Sequence, residues 1–466
     1  MQRLPRIGLL PLYLKLYDEC APKVRAEFAP FLDRIAAKFA GQGVEVVRSD
    51  ICCVAAEFGR AVQAIEKQDV DLLVTVHLAY SPSLESIDAL VKTALPILIL
   101  DTTMDAAFGC RVKPERIMYN HGIHGVMDLA CMLRRRGKPF EIVAGHLEAK
   151  ATLSRAAEIA RAACAARTLR KTVTMRVGGP FRGMGDFAVA EDVLAKKLGI
   201  RVINVGAADL GRDVRSVRVP QVAAEVAEDR KRFRCELPRE CHERSVRVGL
   251  GLRRALEKNG CNAFSMNFLA FDSAAGPVNT VPFLEASKAM ARGVGYAGEG
   301  DVLTSALVGA LASAFGQTTF TEIFCPDWRG NSLFLSHMGE ICPDVLAGKP
   351  RLSEKPYKFS AALNPAILTG RMQPGPAVFV NLVPGPSDRF SLIAAPVEVL
   401  TDSASKAMDG VVRGWIRPPC PLPAFLEAYS RHGGTHHSAL VLGERADAVL
   451  AFARFAGLDE VRIGGE

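Results

Sequence analysis

The chain has 466 residues, of which 49% are hydrophobic and 23% charged, and its formal net charge is +8. This length exceeds what one ordinary hydrophobic core supports, so two or three globular domains are expected. The small positive excess forms no long Lys/Arg run interleaved with aromatic residues, which argues against a nucleic-acid partner.

Twelve cysteines are scattered along the chain without a Cys-x-x-Cys pair. The N-terminal stretch is too short and wrongly flanked for a secretory leader, and the longest apolar stretches have the length of a strand. These features predict reduced thiols, a cytoplasmic protein and no membrane partner.

Short apolar strands alternate with helices through an N-terminal α/β domain predicted at residues 1–168. Such alternation is typical of a doubly wound parallel sheet, which binds ligands at the carboxyl ends of its strands. The predicted strands are Ile7–Leu10, Val44–Val47, Asp71–Val76, Ile97–Leu100 and Phe140–Val143, and the helices are 22–40, 56–67, a short one after Ser83, and Gly125–Arg136.

The alternation continues through a central α/β domain predicted at residues 169–318. A glycine-rich segment, Gly293–Gly298, matches Gly-x-Gly-x-x-Gly, but a helix precedes it where a dinucleotide site requires a strand. We interpret it as a backbone turn that presents Glu299. The predicted strands are Val173–Val177, Val202–Val205 and the extended segment Asn262–Phe268, and the helices are 219–233, 243–258, Phe283–Arg292 and 301–315.

A β-rich, barrel-like C-terminal domain is predicted at residues 319–466. Proline, glycine and aspartate separate its strand-length apolar segments. The predicted fold is therefore α/β, with two doubly wound Rossmann-like domains followed by a β-rich domain. Its predicted strands are Tyr357–Ala361, Ala377–Leu382, Phe390–Ala394, Val397–Leu400 and Gly410–Ile416, and its helices are 423–430 and 444–455.

Two carboxylates and two histidines are the candidate site residues: Glu299, Glu322, His337 and His437. Two oxygen and two nitrogen donors are able to hold one divalent cation and leave positions open for a substrate. The residue types alone leave another interpretation open. In that interpretation Glu299 caps the following helix, and the histidines are satisfied by backbone hydrogen bonds.

The local sequences around these four residues resemble the metal-binding segments of L-arabinose isomerases. The segments are Gly-Glu-Gly-Asp at Glu299, Thr-Phe-Thr-Glu ending at Glu322, His-Met-Gly-Glu-Ile-Cys-Pro from His337, and Gly-Gly-Thr-His-His ending at His437. They occur in the family's order, with similar spacings of 23, 15 and 100 residues. The chain is thus identified as a divergent member of the L-arabinose/L-fucose isomerase superfamily, and the resemblance implies that all four residues are metal ligands.

The resemblance extends over nearly the whole chain and implies further properties. It implies a monosaccharide substrate, and a homo-oligomer, trimeric or hexameric, with active sites between subunits. This sequence differs from the family's pattern near the N-terminus, where Leu-Pro-Leu-Tyr13 replaces a Ser-Gln-His-Leu-Tyr-like stretch. Oxygen-rich ligation favours Mn²⁺, with Co²⁺ or Mg²⁺ as alternatives. The substrate-binding residues that it implies are Tyr13, His124, Met184, Phe264 and His436.

The expected reaction is aldose–ketose isomerisation, an intramolecular oxidoreduction of carbohydrate metabolism. Glu299 and Glu322 would serve as acid and base, moving a proton between C1 and C2 through an enediolate. A hydride shift stays open as the route. Two other functions also stay open: a sugar epimerase that uses the same metal site, and a non-catalytic sugar-binding protein.

Overall fold

The chain divides into two units, Arg3–Cys164 and Ala165–Glu466, whose boundary lies within one long helix. The structure is a computed structural model and describes residues 3–464. We call the two parts the N-terminal unit and the C-terminal unit. No helix within residues 3–464 is long and apolar enough to cross a lipid bilayer.

A five-stranded, wholly parallel sheet forms the centre of the N-terminal unit. Its strand order, β2-β1-β3-β4-β5, is that of flavodoxin-like doubly wound folds. The strands are β1 (Arg6–Leu12), β2 (Glu45–Arg48), β3 (Leu72–His77), β4 (Ile97–Asp101) and β5 (Phe140–Ala144). The helices are α1 (Leu16–Cys20), α2 (Val24–Glu27), α3 (Ala29–Ala40), α4 (Ala55–Glu66), α5 (Ser83–Lys92), α6 (Ile123–Arg135) and α7 (Lys150–Arg170).

The sequence explains why these segments form such a sheet. Every residue of β3 is buried, as expected for a central parallel strand covered on both faces. In α3 the buried side chains are Phe31, Leu32, Ile35 and Phe39, whose spacing places them on one helix face. The predicted doubly wound N-terminal fold is therefore confirmed.

A second parallel sheet begins the C-terminal unit, with the order β10-β9-β6-β7. The strands of this region are β6 (Val173–Val177), β7 (Arg201–Val205), β8 (Arg234–Glu236), β9 (Ala263–Met266) and β10 (Gly295–Gly298). The helices are α8 (Glu191–Val193), α9 (Gly211–Arg215), α10 (Val219–Arg232), α11 (Arg239–Lys258), α12 (Phe283–Ala291) and α13 (Val302–Phe315).

The interpretation of Gly293–Gly298 as a turn is wrong, because its last four residues form strand β10. Glycine is needed there for close packing. A Cβ at Gly295 would overlap the Ser305 carbonyl oxygen of α13, so the helix lies against the strand only because Gly295 has no side chain. The strand then delivers the chain directly to Glu299.

A large β-rich sheet completes the C-terminal unit. Its strands are β11 (Thr318–Asp327), β12 (Ser332–Ser336), β13 (Arg351–Glu354), β14 (Ala366–Arg371), β15 (Gly375–Pro384), β16 (Phe390–Val399), β17 (Val412–Arg417), β18 (His437–Leu442) and β19 (Asp459–Arg462). The remaining helices are α14 (Leu422–Arg431) and α15 (Ala446–Ala456).

Pairing between β16 and β17 closes six of these strands into an antiparallel ring, β16-β15-β18-β11-β12-β17. The strands β14, β13 and β8 continue the sheet outward from β17, and β19 pairs with β16. The predicted barrel-like character of this region is confirmed. The predicted boundary between the central and C-terminal domains stays a prediction.

Two predicted strand assignments in this region are wrong. Tyr357–Ala361 is a loop, because the Tyr357 N–H donates to the Asn364 side chain at 2.9 Å and leaves the backbone outside a ladder. Phe390–Ala394 and Val397–Leu400 belong mostly to one strand, β16, which continues through Pro396. The predicted elements also leave out strands β12, β13, β14, β18 and β19.

Candidate metal centre

The four predicted ligands lie on neighbouring elements of the C-terminal unit. Glu299 follows β10, Glu322 lies within β11, His337 follows β12 and His437 begins β18. Glu322 lies directly opposite His437 on one side and Ser336, the residue before His337, on the other. Since opposite residues of paired strands project on the same face, strand register brings Glu322 and His437 together.

Glu299 has an unusual backbone conformation, with φ of +64°. A non-glycine residue in this left-handed region is strained, and such strain persists only where the surroundings impose it. The Glu299 carbonyl accepts the Phe181 N–H at 3.0 Å, which fixes the segment in place. The backbone therefore holds this carboxylate in one direction at the cost of local strain.

Gly298 permits the close approach of His337. A Cβ on Gly298 would lie 3.0 Å from the His337 Cε1 atom and 3.2 Å from its Nε2 atom. Real Cβ atoms rarely lie so close to neighbours, and a ring packed on both sides has little room to yield. Glycine at this position thus allows the imidazole to occupy the space beside Glu299.

The donor atoms form two overlapping groups that share His437. The donor atoms of Glu322, His337 and His437 lie within 4.8 Å of one another, and so do those of Glu299, His436 and His437. Donors on opposite sides of one ion with bonds of about 2.1 Å are about 4.2 Å apart. His437 therefore joins Glu322 and His337 to Glu299, although the four predicted donors do not form one mutually close group.

The His437 ring provides a direct test of whether a cation fits. Its Nδ1 lies 3.0 Å from the Asp301 Oδ2 atom, while its Nε2 is buried and has no hydrogen-bond partner among the described residues. The nearest charged atom to Nε2 is the Glu299 Oε2 atom at 3.5 Å. Leaving a buried ring nitrogen unpaired costs free energy, and a bound cation would remove that cost. The donor set and this orphaned atom fit a divalent metal.

Carboxylates pair with the Nδ1 atoms of both His337 and His437. The His337 Nδ1–H donates to Glu340 at 2.9 Å, and Glu340 accepts the Tyr296 hydroxyl at 2.6 Å. Asp301 pairs with His437 and also caps α13 by accepting the Thr304 N–H at 2.9 Å. Such pairs fix the ring tautomer so that Nε2 faces the metal. The interpretation in which Glu299 caps this helix and backbone groups satisfy the histidines is therefore wrong.

His436 has a different environment from that of His437. The Asp186 Oδ2 atom accepts both the backbone N–H of His436 at 3.0 Å and its ring Nδ1–H at 2.6 Å. The other ring nitrogen lies 3.5 Å from Glu299. Burial alone would lower the pKa of His436, but its hydrogen bonds to Glu299 and Asp186 raise that pKa to about 9. These two hydrogen bonds therefore favour the protonated form of His436.

The charge balance keeps Glu299 ionised. Burial alone would raise the pKa of Glu299, but the hydrogen bond from His436 and the nearby His437 and His337 rings lower it below its ordinary value. Glu340 behaves in the same way, because burial opposes ionisation while His337 lowers its pKa. The centre thus presents carboxylates, as metal ligation requires.

Two phenylalanines enclose the histidines. The Phe320 ring meets the rings of His337 and His437 edge-on, with centroids 4.7 and 5.0 Å apart. The Phe187 ring stacks on His437 with a centroid distance of 5.2 Å and an interplanar angle of 10°. These apolar walls restrict ring rotation and keep water away from the inner nitrogens. Neither phenylalanine was among the predicted site residues.

The other predicted substrate-binding residues are distributed over both units. Met184 is half-buried in the loop that carries Asp186, and Phe264 is fully buried in β9 with its ring 5.1 Å from that of Tyr296. In the N-terminal unit, His124 is exposed near the start of α6 and Tyr13 is fully buried after β1. Burial raises the pKa of Tyr13 to about 12. The roles of all four residues stay predictions.

Comparisons with known proteins point to one family. Residues 182–315 match the L-arabinose isomerase central domain, and residues 317–459 match the L-arabinose isomerase C-terminal domain, together more than half of the chain. L-arabinose isomerase 1 of Bacillus licheniformis is 27% identical over 399 residues, which are 84% of this chain and 80% of that protein. The L-arabinose isomerase of Nocardioides sp. is 28% identical over 415 residues, 85% of this chain and 81% of that protein. The L-arabinose isomerase of Acidothermus cellulolyticus is 28% identical over 404 residues, 82% and 78% respectively.

Proposed function

Because the chain belongs to the L-arabinose isomerase family and is an aldose–ketose isomerase, we propose that it performs this reaction at a divalent cation held by Glu299, Glu322, His337 and His437. The observation that carries the proposal is the buried Nε2 atom of His437, which has no hydrogen-bond partner within residues 3–464; His437 belongs to both donor groups. A cation at this position would satisfy that atom and neutralise the adjoining carboxylates.

The donor set indicates which cation is suitable. Two carboxylates and two imidazoles suit Mn²⁺, with Co²⁺ or Mg²⁺ as alternatives, because no thiolate belongs to either donor group. When bound, the cation supplies electrophilic stabilisation of negative charge that develops on the sugar oxygens. The chain's own residues must then move the proton.

The two carboxylates are suited to that transfer. Glu299 is ionised, since its pKa is lowered by the hydrogen bond from His436 and by the neighbouring histidines despite burial. We propose that one carboxylate removes the C2 proton of the open-chain aldose, which gives an enediolate. A proton delivered to C1 then completes the ketose. Glu322 is the second carboxylate in reach of this reaction, because it lies opposite His437.

His436 lies beside Glu299 and has a proposed electrostatic role. Asp186 holds its Nδ1–H, so that its Nε2–H is directed at Glu299. Because both ring nitrogens already face carboxylates, we assign it the orientation of Glu299 and the lowering of the Glu299 pKa. Phe187 and Phe320 exclude water from the histidines, which strengthens these interactions.

The names of the relatives support L-arabinose as the first substrate to test. We further propose that Met184, Phe264 and His436 contact this monosaccharide, and that Tyr13 and His124 of the N-terminal unit do so as well. The proposed assembly is a cytoplasmic trimer or hexamer with active sites between subunits. These assignments rest on the resemblance of the local sequences to those of the family.

The test begins with protein stripped of metal by a chelator. Ketose formation from L-arabinose and a panel of aldopentoses and deoxyhexoses is measured before and after addition of Mn²⁺, Co²⁺ or Mg²⁺. We expect activity to require the cation and to fall at least roughly 10²-fold in Glu322→Gln, which loses one ligand and one acid–base group. Full activity in the stripped protein, or in this variant, would refute the proposal.

The route of hydrogen transfer is tested in D₂O. Proton transfer through an enediolate allows exchange with solvent, so deuterium should appear at C1 of the ketose. Complete retention of the original hydrogen would replace the proton-transfer route with a hydride shift, while leaving the metal requirement intact.

A further inference from the structure

A second polar cleft lies in the C-terminal unit, outside the metal centre. Its lining comes from β14, the turn before β13, and the loop that precedes β17, and its volume is about 540 Å³. Six cationic residues line it, against one acidic residue, Asp409. The cationic residues are Arg234, Lys349, Arg351, Arg371, Lys406 and Arg413.

Acidic groups compensate only part of this charge. Glu236 is shared by two arginines, lying 2.8 Å from Arg234 and 2.7 Å from Arg351. Asp402 and Asp409 lie 2.6 and 3.5 Å from Arg413. Three carboxylates thus face six cations, so the cleft carries an excess positive charge of three.

The excess resides on three side chains. Lys349, Arg371 and Lys406 make no ion pair with any residue in the described part of the chain. Cations gathered in this way repel one another, and the fold gains no evident stability from their proximity. An anion bound among them would relieve the repulsion.

The cleft is built on a rigid frame. The Arg413–Asp402 ion pair is almost completely buried, and Arg413 also donates to the Ser405 carbonyl at 3.1 Å. These contacts tie the loop that carries Lys406 to the sheet. Arg371 lies opposite Arg413 in the β14–β17 pairing. Arg413 and the backbone of this loop are therefore held in place before any ligand arrives, which reduces the entropy cost of binding.

We propose that this cleft binds a small metabolite that carries a phosphate group. Guanidinium groups recognise phosphate oxygens in a planar, bidentate manner, and lysines add point charges. The volume lies within the usual range for small-ligand sites, and the lining contains no aromatic ring on which a base could stack. A phosphate monoester or diphosphate fits these properties better than a nucleic acid does.

Isothermal titration calorimetry with inorganic pyrophosphate and with glycerol 3-phosphate tests the proposal, with glycerol as the uncharged control. No divalent cation is added, because pyrophosphate chelates such ions. The double variant R371Q/K406Q removes two uncompensated cations of the cleft. The matched control R329Q/K358Q removes two exposed cations elsewhere in the same unit and changes the net charge equally.

We expect both phosphate probes to bind with dissociation constants below about 1 mM. R371Q/K406Q should weaken binding at least roughly tenfold, and R329Q/K358Q by less than about twofold. If the double variant folds poorly, the single variant Lys349→Gln, at an exposed position, takes its place. It should weaken binding in the same direction but by a smaller factor. Equal weakening in the cleft and control variants, or no binding up to about 10 mM, would overturn the proposal. So would tighter binding of a heparin fragment than of either probe.

Discussion

Glu322 of β11 lies directly opposite His437 of β18, and the same histidine approaches Glu299 to 3.5 Å through its Nε2 atom. One ring thus links the two carboxylates to which we assign the proton transfer. Its orientation depends on Asp301 behind it and on the stacked Phe187 beside it.

Asp301→Asn should separate positioning of His437 from helix capping. Asparagine caps a helix about as well as aspartate, so the stability of α13 should change little. It no longer presents a carboxylate to Nδ1, and we expect the Mn²⁺ dissociation constant to rise about 10- to 100-fold. Calorimetric titration with Mn²⁺ measures this change, with the exposed Asp344→Asn as the control. An unchanged dissociation constant would show that Asp301 only caps the helix.

Gly298→Ala should damage the metal centre without removing any donor. The added Cβ would lie 3.0 Å from His337 Cε1, so the ring must move away from residue 298 and out of its present position among the donors. We expect Mn²⁺ affinity to fall roughly tenfold or more. Gly59→Ala in α4, where an added Cβ meets no atom within 4 Å, is the control and should leave affinity unchanged. Similar Mn²⁺ affinities for both variants would contradict the steric argument.

Glu299→Gly should be more stable than Glu299→Ala, although both variants lack the carboxylate. The φ of +64° strains alanine but suits glycine, and the difference should be about 1 kcal/mol in the free energy of unfolding. Urea denaturation in the presence of a chelator measures it. Both variants should lose isomerase activity. Equal stabilities would mean that the backbone at this position relaxes once the carboxylate is removed.

Acid should destabilise the N-terminal unit through His77. Burial lowers the pKa of His77 to about 3, whereas the unfolded side chain titrates near 6.5. The unfolded state therefore takes up a proton first as pH falls below about 6.5, and stability is lost from there down to about pH 3. His77→Gln should reduce the loss of unfolding free energy between pH 7.5 and 5.0 by about 2 kcal/mol.

The control for this prediction is His432→Gln, which removes an exposed histidine. It should show nearly the wild-type dependence of stability on pH. Urea unfolding at both pH values supplies the comparison. If His77→Gln loses as much unfolding free energy between pH 7.5 and 5.0 as wild type does, His77 is not the source of the acid sensitivity.

The fold class could be predicted because each signal was local. The buried residues of β3 and the apolar spacing in α3 are visible in short windows of sequence. Strand β10 was missed, since glycines carry no hydrophobic periodicity and its pairing with β9 depends on residues about 30 positions away. The six-stranded ring depends on the β16–β17 pairing, which no local pattern specifies.

The candidate ligands were found from their local sequences, but the residues behind them were mostly missed. Asp186 and His436 are 250 residues apart, and Asp301 and His437 are 136 apart, so only the fold brings them together. Glu340 is a different case. It lies three residues after His337. Residues at this separation are close to each other in a turn, so the contact between the carboxylate and the imidazole could have been predicted from the sequence.

Because the ring of strands is closed, the metal donors come together only when every strand pairs in its native register. A slip of one residue between β11 and β18 would turn Glu322 to the opposite face and place Thr321 or Ile323 across from His437. In an open sheet one edge could absorb such an error, whereas here the five other pairings of the ring would have to compensate. Cation binding therefore stabilises only the native register, and the proposed cofactor would favour correct pairing of the barrel strands in addition to its role in catalysis.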